Sequence, residues 1–425
     1  MLPHPTLDAP APLQGSDDGS FAQYTVETRL PDLLRRTLQT ADLPAPARAH
    51  LQALQAEIPD GWIRAVDDPA APDADDWTAY VSAVRGRTWR SVPWFFAETY
   101  FYRRILEATG YFGGPCPGVD PFAPQKATRR RDDDRARNAL AESRRAPDAP
   151  EGWTAVAAAL EAALWGNRAD LSMWPGNDRP YAGLDAGPGS GTASSDDALL
   201  ADDRRRLHSW LDARAPLGRV DFILDNVGVE LAADLALAAA LLETETADRV
   251  LLHAKPHPTF ISDATSSDAY AAIGGGRSDA PDAENAFAER LQAYADAGRL
   301  GVTDHLFWTS PLPGWGLFRE VYDDLEESDL IISKGDANYR RWLGDRHWAP
   351  TDDFSSIVDY APAPLLMLRT LKSDVIAGLD AAAVERARNR SESWKTDGTF
   401  GIIQFAADPA GHPAYRSPAA VDEKG

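Results

Sequence analysis

With one cysteine, Cys116, the 425-residue chain can form no disulfide within itself and no CxxC zinc or redox site. No apolar run approaches the length that a bilayer demands. Basic side chains are few, 43 Lys and Arg against 65 Asp and Glu, and the net charge of −22 opposes nonspecific binding to nucleic acid or to an anionic membrane surface. Solubility is the plainest account of that charge. The opening Met1-Leu2-Pro3-His4 has neither a basic n-region nor an apolar h-region, so no secretory signal is expected and a cytoplasmic location is. No GxGxxG or GxxxxGK[ST] stands at a strand-to-helix turn, and Gly274-Gly275-Gly276 lies in a polar loop. There is no Gly-x-Ser-x-Gly elbow, and Cys116 has no evident base beside it in Gly114-Pro115-Cys116-Pro117, which argues against a Ser or Cys nucleophile.

What is present describes a folded protein of two or three domains, with 44% hydrophobic and 25% charged residues. Residues 1–20, rich in Pro, Ala and Asp, predict a disordered arm. Residues 21–200 read as a helical, Trp-rich N-terminal domain. Its central helix starts at Pro93 and ends near Gly110. The run Trp94, Phe95, Phe96, Tyr100, Phe101 makes that helix core on more than one side. Residues 125–150 are a charged helix face or linker, and Ala182 to Asp197 a Gly-rich loop. From 201 to 425 the pattern alternates between strands and helices. Strands are predicted at Val220–Leu224, Arg249–Ala254, Leu330–Ser333, Leu365–Leu368 and Phe400–Phe405, which predicts an α/β domain with a parallel sheet wrapped on both faces.

Polar residues gather where these strands end. Asp225-Asn226 closes the first, with Glu230 in the first turn of the next helix; the others run into Lys255, into Lys334-Gly335-Asp336-Ala337-Asn338, and into Arg369-Thr370-Leu371-Lys372. A single Asx pair reads equally as a helix cap. Four such ends on one rim of a parallel sheet favour a site, because ligands bind outside the carboxyl ends of the strands. Carboxylate and amide oxygens suit Mg²⁺, Mn²⁺ or a similar cation, while lysine and arginine suit phosphate oxygens. Gly335 permits close backbone approach, and a helix beginning near Asn338 would aim its N–H groups at an anion. His253 and His257 are spaced for a helical metal pair, but Lys255-Pro256 between them disfavours a helix, and a structural role, or one behind the ligands of a site, is expected. Asn167, Arg168 and Asp170 follow a helix ending at Trp165; reaching over the site and simply ending that helix both remain open.

The runs Asp-Phe-Ile-Leu-Asp-Asn-Val-Gly-Val-Glu-Leu (221–231), Ser-Asp-Ala-Thr (262–265), Ser-Lys-Gly-Asp-Ala-Asn-Tyr-Arg-Arg-Trp (333–342) and Arg-Thr-Leu-Lys (369–372) resemble the damage-control phosphatase family, formerly the domain of unknown function 89. The similarity is greatest to its subgroup with the Arg-Thr-x-Lys motif, which includes the eukaryotic acidic-residue methyltransferase-like proteins. Pro93 to Arg104 and Trp165 to Ser172 extend the resemblance over most of the chain, from about residue 20 to 410. One departure is that the aromatic residue often found before the Ser-Asp step is replaced by Pro258-Thr259-Phe260-Ile261.

The resemblance implies a helical N-terminal domain packed on a three-layer α/β/α sandwich with a mainly parallel sheet. It implies a metal-dependent phosphatase for small phosphorylated metabolites, using one divalent ion (Mn, Co, Ni or Mg). Asp225, Asn226 and Asp263 correspond to the metal ligands. Asp225, Lys334 and Lys372 are the expected catalytic residues, and Glu230, Gly335, Asp336, Asn338, Arg369 and Asn167 the expected substrate-binding ones. The expected partner is a small phosphorylated molecule such as fructose 1-phosphate, with no nucleic acid or membrane; the oligomeric state is open. Carboxyl methyl transfer from S-adenosylmethionine and non-catalytic metal or sugar-phosphate sensing are the alternatives, the former disfavoured by the absence of a Gly-rich turn after the first strand.

Overall fold

The computed structural model describes residues 5, 8–127, 152–166, 195–275 and 282–409. Asn167, Arg168, Asp170, most of the charged stretch and most of the Gly-rich loop therefore lie outside the described residues.

Seven strands form one sheet: β1 Leu199–Asp202, β2 Val220–Ile223, β3 Val250–Ala254, β4 Leu300–Asp304, β5 Leu330–Lys334, β6 Leu365–Thr370 and β7 Gly401–Ala406, in the order β1-β7-β6-β5-β2-β3-β4. From β6 to β4 every neighbouring pair is parallel; β7 runs antiparallel to β6, and β1 is parallel to β7. The predicted class, α/β with a mainly parallel sheet, is the one observed. The central strands are buried on both faces, so they read as continuous apolar runs, and alternate residues face opposite layers. Phe222, Ile332 and Leu366 pack with the helices Gly152–Gly166 and Val229–Glu243; Ile223, Ile331 and Leu365 face the other layer with Trp342, Ile357 and Val384.

The chain runs from β2 outward to β3 and β4, then returns to lay β5 on the other side of β2. That reversal puts a crevice between the ends of β2 and β5, the usual ligand position in an open parallel sheet. A third cluster, built from Val26, Leu30, Trp77, Trp89, Phe95 and Tyr100, forms the helical part and includes Phe260 and Ile261 from the loop after β3. Its central helix is Trp94–Thr109, stopped by Gly110 in the left-handed conformation (φ 70°).

Two expectations are corrected. Residues 8–20, read as part of a disordered arm, lie against the body: Leu13 is buried, its N–H donates to the Asp345 carbonyl (2.9 Å), and its carbonyl accepts from Trp94 N (2.7 Å). With the Ala11 carbonyl accepting from His347 N (3.1 Å), one apolar anchor and three backbone bonds outweigh the average composition of that segment. The helix after β5 spans Gly335–Trp342, starting earlier than Asn338, directly after the last residue of β5, with Gly335 at a positive φ (81°) where strand turns into helix.

Candidate active site

The crevice is built by backbone first. Val227 N donates to the Ser262 carbonyl and Ala264 N to the Asp225 carbonyl, both at 2.7 Å, pairing Asn226 with Asp263 as a short antiparallel bridge. The Leu224 carbonyl, the last on that edge of β2, accepts from Lys255 Nζ (2.9 Å) and Asn338 Nδ2 (3.0 Å), which ties the ends of β2, β3 and β5 together. To reach Ser262 the chain passes through Phe260 and Ile261, both non-glycine residues at positive φ (44° and 67°). Such backbone is unfavourable unless its surroundings hold it. Here the Phe260 ring lies 5.0 Å from Tyr102 and 6.2 Å from Phe95, so the helical part clamps the loop that carries Asp263.

Within this frame Asp225, Asn226, Glu230 and Asp263 are all buried and adjoin one another. Asn226 Nδ2 donates to Asp225 Oδ2 (2.8 Å) and Glu230 Oε2 (2.9 Å), while its Oδ1 accepts from Ser262 Oγ (2.6 Å). Lys255 lies 3.3 Å from Asp263. Gly335 closes the crevice from the β5 side: a Cβ there would fall 1.8 Å from Asp225 Oδ2, so only glycine fits.

Lys334 faces inward. Its ammonium donates to the Ala163 carbonyl (2.7 Å) and to Glu230 (3.0 Å) and forms an ion pair with Asp234 (3.0 Å). These contacts hold Glu230 in place beside Asn226. A fully buried ammonium needs such compensation. Burial, with Glu230 nearby, pushes the Asp234 carboxyl up to about 7 despite Lys334; the two acids in turn hold the Lys334 ammonium above its ordinary value against its own burial.

The remaining predicted residues stiffen the rim. Burial alone would raise Asp336, but the Arg369 and Arg340 charges, Ser373 and Lys372 outweigh it and hold the carboxylate below its usual range. Asp336 accepts from Arg369 Nε (2.8 Å), Ser373 Oγ (3.0 Å) and the Lys372 N–H (3.3 Å). Arg369 also donates to the Val375 carbonyl and lies 4.3 Å over the Tyr339 ring. Asn338 spends its amide on the Leu224 and Lys334 carbonyls. Arg369, Asp336 and Asn338 thus shape the two loops around the crevice. Asn167 lies outside the described residues, but Gly166 before it packs on Glu230, where a Cβ would come 3.1 Å from the Glu230 Cα.

Sequence reasoning passed over Asp234 and gave Ser262 no role of its own. Asp234 had a signal: it stands one turn after Glu230, so both acids share a face of an otherwise apolar helix. Ser262 had none beyond its place before Asp263.

A separate possible metal-binding triad lies on the other end of β2, where Asp221, His253 and Asp324 offer ligand atoms within 4.8 Å of one another. Asp221 is four residues before Asp225, roughly 13 Å away along a strand. Arg219 already supplies a cation there, donating twice to Asp221 (2.8 Å each) and once to Asp324 (3.0 Å). His253 Nε2 lies 2.6 Å from Asp221 Oδ1.

A doubly wrapped, mainly parallel sheet with buried acids and an amide at its reversal point defines an α/β protein with a polar ligand crevice. The model of the damage-control phosphatase ARMT1-like domain matches residues 25–387, and the chain belongs to that family. Membership supports a phosphatase of the damage-control kind. Curated relatives named damage-control phosphatase ARMT1 include those of Danio rerio, 30% identical over 94% of this chain and 97% of the relative, and Mus musculus, 29% identical over 94% and 99%. A crystal structure of a DUF89 family protein from Pyrococcus horikoshii covers 90% of this chain and 98% of its own, with a TM-score of 0.47 and 16% identity.

Proposed function

We propose that the protein hydrolyses phosphate monoesters of small phosphorylated metabolites, sugar phosphates such as fructose 1-phosphate among them, with one divalent cation held by Asp225, Asn226 and Asp263. The observation that carries this reading is the single amide of Asn226 bridging Asp225 and Glu230. A half-turn of that amide puts its oxygen toward both carboxylates and its nitrogen toward Ser262 Oγ, giving an all-oxygen donor set suited to a hard or borderline cation. A bound cation supplies Lewis-acid polarisation of a phosphoryl oxygen and offsets its charge. The protein's share is preorganisation. Gly335 keeps the β5 side against Asp225, Lys334 holds Glu230 in place, and Asp336 fixes the turn from which Lys372 reaches the phosphoryl oxygens.

The test is phosphate release from a panel of sugar phosphates by EDTA-stripped protein, with Mn²⁺, Co²⁺, Ni²⁺ or Mg²⁺ returned singly. Release restored by metal, and reduced about 10³-fold by Asp225→Ala or Asp263→Ala with circular dichroism unchanged, is expected. Full release from Asp225→Ala, or from stripped protein without metal, overturns the assignment. Ligand binding without turnover would point to a sensor instead, and labelled methyl transfer to carboxyl transfer chemistry.

A further inference from the structure

Arg340 and Arg341 are neighbours on the helix Gly335–Trp342 with opposite electrostatic fates. Arg340 is matched by the carboxylates of Glu98 and Asp345. Arg341, equally buried, donates to the carbonyls of Leu312 (2.7 Å) and Trp308 (3.1 Å) and weakly to Ser310 Oγ (3.4 Å). Nothing among the described residues accepts from its Nε–H, and no described carboxylate stands at ion-pairing distance. The rings of Phe95 and Phe307, 4.8 and 4.9 Å away, compensate in part. Burial still lowers the guanidinium to about 9, with Asp263 acting only from beyond contact. A buried cation without an anion is a costly arrangement that a folded protein keeps for a reason.

Arg341 lines a cleft of about 200 Å³ between the helical part and the loops that follow β4 and the Gly335–Trp342 helix. The walls are Tyr80, Val84, Phe95, Phe96 and Pro313, and Arg346, whose Nε also lacks an acceptor, stands at the same cleft. Its lining is largely apolar and carries three guanidinium groups, Arg340, Arg341 and Arg346, against one carboxylate, Asp345, which Arg340 already pairs, so the cleft joins apolar contact to a net positive charge. The cleft is not the Asp225 crevice. Arg341 is six residues beyond Gly335, roughly 9 Å along a helix. Phe95, which lines the cleft, also packs on Phe260 and so forms a partition between the two.

We infer that this cleft is a second ligand site that takes a small organic anion, its charged group against Arg341 and Arg346 and a flat apolar body among Tyr80, Phe95 and Phe96. Phenylphosphonate, which has no ester bond to cleave, is the probe, titrated calorimetrically into the full chain with divalent metal present. One molecule per chain is expected to bind in Asp225→Ala, where the crevice is disabled, and the wild type is expected to bind that molecule and a further one at the metal-loaded crevice. In the Asp225→Ala background, Arg341→Gln should weaken binding at least about tenfold. Because Arg341→Gln can perturb folding, Ala83→Trp provides a second variant: Ala83 is exposed at the cleft and ends the helix Ala74–Ala83, so a tryptophan there covers the opening and leaves Arg341 in place. It too should weaken binding at least about tenfold, and inorganic phosphate, lacking the apolar body, should bind at least about tenfold more weakly than phenylphosphonate. Absence of binding to the wild type, its loss in Asp225→Ala alone, or unchanged affinity in Ala83→Trp overturns the inference.

Discussion

At the scale of single residues, the crevice depends on an atom that is missing. Gly335 combines a positive φ with contact against the Asp225 carboxylate, so Gly335→Ala imposes two penalties, backbone strain and displacement of Asp225. Gly298 separates them, because it has a similar φ (70°) but open space where a Cβ would go. Gly298→Ala should lower stability by about 1 kcal/mol and leave phosphate release intact. Gly335→Ala should reduce release at least about a hundredfold at a comparable or larger stability loss. Equal activity in the two variants would show that the close approach to Asp225 is irrelevant. Asp225, Asn226 and Gly335 were legible in the sequence because each interrupts an apolar strand run with a residue that strands disfavour. The inward direction of Lys334 was not, since a lysine at a strand end looks the same whether it meets a ligand or a buried acid.

At the scale of elements, the helix Val229–Glu243 shows how a charge network hides in an apolar sequence. Every residue from Val229 to Leu242 is buried, yet Glu230 and Asp234 project from the helix toward Lys334 of β5. Asp234 sits near 3.8 in an unfolded chain and near 7 here, raised chiefly by burial. A carboxyl raised on folding contributes stability that is complete below pH about 4 and lost as pH climbs through 7. His257 acts in the opposite sense: burial lowers it to about 4, so its contribution is lost as pH falls from its ordinary 6.5 toward 4. Comparison with Asp234→Asn isolates the carboxyl. The wild type should lose more stability than the variant between pH 5 and 8, by about 1 to 3 kcal/mol, in denaturant titrations at each pH. Parallel curves would mean that Asp234 stays ionised throughout. The strands that periodicity did not reveal, β1 and β4, are the two edges of the sheet. Both are short and partly exposed, and β4 contains Gly301, so neither shows the continuous apolar run of a central strand. The helix Gly152–Gly166 reads by sequence position as part of the helical domain, but it packs on Val229–Glu243 and the sheet. Periodicity locates a helix and its apolar residues; it does not say which layer they will cover.

For the whole molecule, the question is what keeps the helical part seated on the sandwich, given that the Asp263 loop is clamped between them. Much of the seating is ionic and buried. Glu98, in the second turn of Trp94–Thr109, accepts from Arg29 (2.7 Å) and from Arg340, which is also bound by Asp345 and lies 3.4 Å over the Trp94 ring. Three distant stretches of chain thus meet at one carboxylate, and the Leu13 backbone bonds on both sides of this cluster, to Trp94 and to Asp345. A helical, aromatic-rich first half and an α/β second half were legible in composition and periodicity. This junction was not, because nothing in the local sequence links Arg29, Glu98 and Arg340, which come together only when the two parts dock. Removing one partner of such a network leaves the others buried and unmatched, a loss of about 3 to 5 kcal/mol. Glu98→Gln keeps the shape and removes the charge, and should lower the melting temperature by at least about 5 °C. Asp32→Asn, breaking an exposed pair with Arg35, is the reference and should shift it by no more than about 1 °C. If Glu98→Gln melts with the reference, the two guanidiniums find compensation elsewhere. The clamp on Asp263 would then rest on the Phe95, Tyr102 and Phe260 contacts alone.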